Sequence, residues 1–316
     1  MKKAVLIMAY GGPDSLADIE PYLLDIRGGR TTSPELISEI RERYRKIGGR
    51  SPLLEITCAQ AQALEKHLSR SGQYHVFPGM RHWKPYIRDS VAQIAAQGIT
   101  SGIALCMAPH ASRMSTSIYQ HKLQEALESL PAPLEMDFIE SWHDRPFLIK
   151  ALALKVRETS RQFSQESQAE VHYLFTAHSL PAILKREGDP YVEQLSATAR
   201  LLADELGLSH DQWTFGYQSA GAAPGEWLGP SVEELLANFS SQGIKNVLVT
   251  PVGFMADNVE ILYDLDIEAQ EIARDCSIKL VRSQTLNTSP DFISGLAEMI
   301  LQRDQSEAAN GQDRNK

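Results

Sequence analysis

Short apolar runs alternate with amphipathic helical patterns along almost the whole chain, and this alternation limits the possible folds more than any other feature. Eight runs of four to seven residues predict strands: Ala4–Ala9, Tyr74–Pro78, Gly102–Ala108, Leu134–Ile139, Glu170–Thr176, Gln212–Tyr217, Lys245–Thr250 and Ile278–Val281. Between them, stretches such as Ser15–Asp25, Pro34–Ile47, Leu54–Ser69, Tyr191–Leu206, Asp257–Asp275 and Ser289–Gln302 carry a helical period. Strand and helix in strict alternation build parallel sheets covered by helices on both faces. Eight such strands also close a (β/α) barrel, which is the structural competitor. A polar, Ser/Gln-rich segment, Arg157–Ala169, leaves four strands on each side. The expected fold class is therefore α/β, with two similar Rossmann-like halves, each a four-stranded parallel sheet flanked by helices, and a cleft between them. Residues 1–156 form the first half and 157–303 the second, with the last helix able to pack back on the first half. Residues 304–316 lack an apolar period and predict a disordered tail.

At 316 residues the chain accommodates two ordinary α/β domains. Its net charge of -9 argues against a general nucleic-acid binder. Between Arg27 and Arg50, however, seven basic residues face three acidic ones, a local excess that suits a small polyanionic ligand. The three cysteines, Cys58, Cys106 and Cys276, are scattered, without a C-x-x-C. They predict neither a disulfide framework nor a zinc or iron–sulfur site. The N-terminal apolar run stops at Tyr10-Gly11-Gly12-Pro13, too soon for a secretory core. No apolar run approaches membrane-spanning length. The expected location is cytoplasmic.

Ligands of open parallel sheets bind beyond the carboxyl ends of the strands. Those positions are occupied here by Tyr10-Gly11-Gly12-Pro13, Ala108-Pro109-His110, Ala177-His178-Ser179 and Pro251-Val252-Gly253. Downstream of the last of these, Asp257 is a good N-cap, and Glu260, Asp264 and Glu268 recur every four residues. On an α-helix that spacing makes one acidic stripe about 12 Å long. It serves either as a solvated outer face or as a ladder of oxygen ligands for a divalent cation, and the pattern alone favours the former. His178 changes the balance, because an imidazole opposite such a ladder makes a metal site or a proton relay. His110 and His82 occupy comparable loops. No G-x-G-x-x-G, P-loop, H-E-x-x-H or G-x-S-x-G pattern is present.

Phe175-Thr-Ala-His178-Ser-Leu-Pro181 and Pro251-Val-Gly-Phe-Met-Ala-Asp-Asn-Val-Glu260-Ile-Leu-Tyr-Asp264 closely resemble the two signature stretches of the ferrochelatase family. Met8-Ala-Tyr10-Gly-Gly-Pro13, Ile47-Gly-Gly-Arg-Ser51-Pro-Leu53 and Tyr217-Gln-Ser219…Trp227-Leu-Gly-Pro230 resemble it too, in the right order over nearly the whole chain. The resemblance implies a lyase of haem biosynthesis that inserts ferrous iron into a porphyrin between two Rossmann-like halves. The pattern is most like the soluble bacterial form that acts on coproporphyrin III and yields coproheme. Protoporphyrin IX is the alternative substrate. A cobalt or nickel tetrapyrrole chelatase and a non-catalytic porphyrin or haem carrier are the alternative functions.

By the same resemblance, His178 and Glu260 are catalytic, and His178, Glu260, Asp264, Glu268 and Tyr10 form the metal set. Tyr10, Arg27, Arg43, Arg50, Ser51, Ser112 and Tyr119 bind the porphyrin. Arginine suits planar carboxylates through paired donors. Fe2+ enters as substrate, and no other cofactor is expected; the C-terminal cysteine cluster of some relatives is absent, so no iron–sulfur cluster is expected either. The implied partners are porphyrin and Fe2+, with transient contact to other haem-pathway enzymes, no nucleic acid and no transmembrane segment. Many relatives carry His two residues before the signature Glu, where this chain has Asn258. Asn does not titrate, so no relay role transfers to that position.

Overall fold

The computed structural model describes residues 2–168, 170–221 and 225–313. Its eight strands fall into two sheets of four. The first holds β1 (Lys3–Ala9), β2 (Tyr74–Met80), β3 (Ser101–Cys106) and β4 (Glu135–Ile139) in the order β2-β1-β3-β4. The second holds β5 (Val171–His178), β6 (Trp213–Gln218), β7 (Asn246–Pro251) and β8 (Lys279–Arg282) in the order β6-β5-β7-β8. All pairings are parallel. The two halves thus repeat one topology, and the barrel is excluded because neither sheet closes. Parallel pairing brings the carboxyl ends of each sheet's strands to one edge. The chain reverses its winding beside β1 and β5, so crevices open between β1 and β3 and between β5 and β7.

Alternation along each strand divides its side chains between two cores. Val5, Ile7, Ile103 and Leu105 point into a core shared by both halves, which also receives Trp142, Phe175, Phe292 and Leu296. Ala4, Leu6, Met8 and Cys106 point to the other face, under the helices Ile87–Ala96 and Thr116–Glu128. In the second half, Leu174, Val247 and Val249 pack against Leu235, Ile261 and Leu265. Both sheet faces are covered, which is why the strands read as apolar runs.

The halves exchange their closing helices. The helix Pro146–Ser160 packs on Tyr191–Leu206 and on β7, and the expected division at 156/157 falls within it. The last helix, Pro290–Asp313, packs on Leu53–Leu68 and Pro146–Ser160. Trp142 stacks on both Phe147 and Phe292, with centroids 6.0 Å apart in each pair. The tail was expected to begin at residue 304. The helix runs to Asp313, and Asp304 pairs with Lys3 and accepts from the Tyr74 hydroxyl at 2.8 Å. Those partners lie on the first sheet, which apolar periodicity alone cannot reveal; residues 314–316 lie outside the described residues.

Gly295 sits where this last helix crosses Phe147, and a Cβ there would overlap the ring. Gly295→Ala is therefore expected to destabilise the protein by about 1–3 kcal/mol through overpacking, outweighing the roughly 1 kcal/mol that Ala gains over Gly in a helix. Chemical denaturation measures this, and a gain in stability would refute the close approach.

Candidate active site

A cavity of about 360 Å³ lies between the two carboxyl edges. From the first half it takes Tyr10, Gly11, Ser51, Arg81, His110 and Tyr119, and from the second His178, Tyr191, Gly253, Asn258 and Glu260, among others. These residues follow β1, β2, β3, β5 and β7 or lie on the neighbouring helices, so the topology alone gathers them at one place.

His178 ends β5, and Glu260 begins the helix after β7. His178 Nε2 lies 3.3 Å from Glu260 Oε1, while Nδ1 contacts the Ser179 carbonyl. The Tyr191 hydroxyl donates to the His178 carbonyl at 2.9 Å and fixes the backbone beneath the ring. Gly253 lets the turn after β7 pass close beside the end of β5, since a Cβ would come within 2.7 Å of Ala177 Cβ. Burial opposes charge on His178, but the Glu260 carboxylate, the Ser179 carbonyl and Asp264 outweigh it. Together they hold the imidazole up at about 9. At neutral pH the imidazole facing Glu260 therefore carries its proton.

Two expectations about the acidic helix are corrected. Asp257 is not its N-cap. The Asp257 carboxylate accepts from Thr285 Oγ1 and Asn287 Nδ2, and Asn258 Oδ1 caps the helix by accepting from the Ile261 N–H at 3.1 Å. The segment Glu260–Glu268 is also a π-helix, giving way to α-helix at Ala269–Asp275. The Ala269 N–H accordingly bonds to the Asp264 carbonyl, five residues back. A wider turn carries more than 3.6 residues, so side chains four apart fall short of one turn instead of overshooting it. The reason is tertiary: Ile261 and Leu265 must bury beneath β5 and β7, while Asp264 turns inward rather than lying on a solvated face.

Asp264 is buried, accepts from Ser219 Oγ, and meets Arg43 Nη1 at 3.5 Å. Ser219 reaches it from the left-handed region (φ 59), which non-glycine residues seldom occupy. Burial pushes Asp264 up to about 7, the Ser219 hydrogen bond opposes this, and Glu260 adds to it. A carboxyl raised from 3.8 to about 7 in the folded state costs stability progressively as pH rises through that window. Asp264→Asn is therefore expected to raise stability at pH 8 by on the order of 1–4 kcal/mol, a gain that vanishes below pH 4. Thermal melts across pH check the sign; equal gains at both extremes would exclude titration of Asp264 as the cause.

Among the described residues, no three His, Cys, Asp or Glu side chains form a metal-holding group. Of the five residues expected to do so, His178 and Glu260 come together and Asp264 sits behind them with its own partners. Tyr10 reaches the cavity from the other half, with its hydroxyl pushed up to about 12 chiefly by burial. Glu268 lies at the far end of the π-helix.

Of the porphyrin-binding candidates, Tyr10, Ser51 and Tyr119 line the cavity. Gly12 admits Ser51 at close range, since any Cβ on it would collide with the serine. The others do not line it. Ser112 is buried against Asp189 at 3.2 Å, Arg50 pairs with Glu55 at 2.9 Å, and Arg43 pairs with Glu39 at 3.1 Å besides Asp264. Arg27 lies exposed just past the helix Ile19–Ile26. Sequence reasoning missed Arg81 and Tyr191. The signal for Arg81 was its position directly after β2, in the turn Gly79-Met-Arg-His-Trp-Lys-Pro85; Tyr191 opens a helix and carried none.

His110 and His82 are structural here. His110 is buried and bonded to Thr198 Oγ1 at 2.9 Å, and burial holds it down at about 3. His82 meets Asp25 Oδ2 at 2.8 Å, and its ring packs 4.8 Å from that of Tyr10.

Two matched α/β halves with an imidazole–carboxylate pair between their carboxyl edges have the architecture of a chelatase. Sirohydrochlorin chelatase SirB from Bacillus subtilis subspecies spizizenii, solved with cobalt, superposes with a TM-score of 0.58 at 12% identity, over 99% of this chain and 98% of that one. The ferrochelatase family model matches residues 2–304. A ferrochelatase from Deinococcus radiodurans is 45% identical over 306 residues, 96% of each chain. A coproporphyrin III ferrochelatase from Bacillus subtilis (strain 168) is 37% identical, covering 96% of this chain and 98% of its own. The chain belongs to the ferrochelatase family, porphyrin metal chelatases of haem synthesis that take a porphyrin and iron as substrates. Among its described residues no helix is long and apolar enough to cross a membrane.

Proposed function

We propose that this protein inserts Fe2+ into coproporphyrin III to give coproheme, with His178 and Glu260 as the proton-accepting pair. The 3.3 Å contact between them inside the cavity carries this reading. A carrier needs no proton acceptor, whereas metallation releases two pyrrole protons for each Fe2+ bound. The substrate assignment is supported by likeness to the Bacillus subtilis coproporphyrin III ferrochelatase and by Tyr10 lining the cavity.

Free iron meets a large barrier because it must shed water and the ring nitrogens point along the plane. Binding energy from the rest of the ring can distort it and expose lone pairs on one face. His178, in its neutral form, accepts a pyrrole proton or holds the arriving metal briefly, and Glu260 shares the proton. Asp264, poised near neutrality, passes protons outward along the π-helix towards Glu268. Tyr10 contacts the ring or metal from the other half. Ser51 and Tyr119 contact the ring edge, with Arg27, Arg43, Arg50 and Ser112 as outer candidates for its carboxylates.

Anaerobic mixing with Fe2+ and either coproporphyrin III or protoporphyrin IX, followed by loss of free-porphyrin fluorescence, tests this. A strong preference for coproporphyrin III is expected. Preference for protoporphyrin IX would overturn the substrate assignment, and tight binding of both without metallation would favour a carrier.

A further inference from the structure

We infer that Arg81 is a specificity-determining residue that receives a carboxylate of the porphyrin, a role resting on the porphyrin reading above. Arg81 is the one arginine or lysine among the described residues lining the cavity. Its guanidinium stands 5.5 Å from the ring centroids of both Tyr10 and Tyr119, and these two aromatic faces hold it in place. No carboxylate lies within ion-pair distance of it among the described residues; its one side-chain hydrogen bond is a long 3.5 Å contact from Nη1 to the Met114 carbonyl. The Nε atom is buried and has no acceptor.

The neighbouring arginines differ. Arg43, Arg50 and Arg113 each already pair with a carboxylate. A cation that lines a cavity, is held by two aromatic rings and has no carboxylate partner lacks an anion.

A second, smaller cavity of about 230 Å³ adjoins on the other side of Arg81 and also takes Arg88 and Lys122. Its one carboxylate, Glu125, meets His121 at 3.2 Å. The basic side chains lining this smaller cavity therefore outnumber its one carboxylate. A planar carboxylate at the edge of a flat ring suits the paired donors of a guanidinium, and the tyrosines that flank it also face the ring.

Fluorescence titration of coproporphyrin III without iron, at several NaCl concentrations, tests the role with Arg81→Gln and Arg81→Lys. Arg81→Gln is expected to raise Kd by about tenfold or more and to flatten its salt dependence, the loss of one charge-assisted contact. Arg81→Lys should keep the salt dependence and lose part of the affinity; it decides the matter if Arg81→Gln fails to fold. Unchanged affinity, or weaker binding with wild-type salt dependence, would overturn the proposal, the latter because mere packing between tyrosines carries no screened charge. Titration needs no turnover. Failure of the wild type to insert iron would sink the proposed function while leaving this result to stand or fall separately.

Discussion

Replacing His178 by Ala is expected to lower kcat for iron insertion by about 10²–10⁴ while changing porphyrin Kd by less than about threefold. The asymmetry follows from the geometry. The imidazole is one of many groups lining the cavity, so little contact area is lost on truncation. It is also the group that meets Glu260, so the proton-accepting pair disappears. Rapid mixing with Fe2+ under anaerobic conditions, beside iron-free porphyrin titration, separates the two quantities. Turnover within tenfold of wild type would show that the base lies elsewhere. The same pair predicts a stability signature. His178 is raised from 6.5 to about 9 in the folded state. Its contribution is therefore full below pH 6.5 and is lost as pH rises through 9. His178→Ala should erase that dependence.

The second large effect is expected for Glu260→Gln, and it has two parts. The amide cannot accept a proton, so the maximal rate should fall by about 10²-fold. Removing the carboxylate also removes the largest influence raising His178, leaving burial, which pushes an imidazole down. In the wild type, kcat/KM should climb with pH towards about 9, where the pair loses its shared proton and the imidazole becomes a base. In Glu260→Gln this limb should move to lower pH even though the plateau is lower. A limb that stays where it was would mean that some other group sets the pH dependence, and the assignment of His178 would be withdrawn.

Much of the fold was legible in the chain. All eight strands were visible as apolar runs, because parallel strands buried on both faces tolerate few polar residues. The helix Tyr191–Leu206 matches its expected bounds, and the helix expected over Pro34–Ile47 ends one residue earlier. His178 stood out because it ends a strand whose carboxyl end must open onto the crevice, whereas Glu260, whose spacing alone favoured a solvated face, stood out only through resemblance to a family signature. The acidic helix was only half legible. A spacing of four reports a shared face on an α-helix, but nothing local announces a π-helix, and Asp257 had every property of an N-cap.

The sequence by itself determined the α/β class, the two fourfold sets of strands and the loops able to carry chemistry, because periodicity and turn residues are local properties of the chain. Tertiary structure alone decided which charges are spoken for. Arg43 and Arg50 lie in a basic stretch that promised carboxylate binding, yet both are paired; Arg81, from a turn not singled out for binding, reaches the cavity unpaired. It alone decided that Asp264 is buried and pushed up to about 7 instead of solvated, and that Asp304 docks on the first sheet. The physical reason is common to all of these. Burial, ion pairing and the π-helical register depend on residues tens to hundreds of positions away, and their energies exist only once the two halves are packed together.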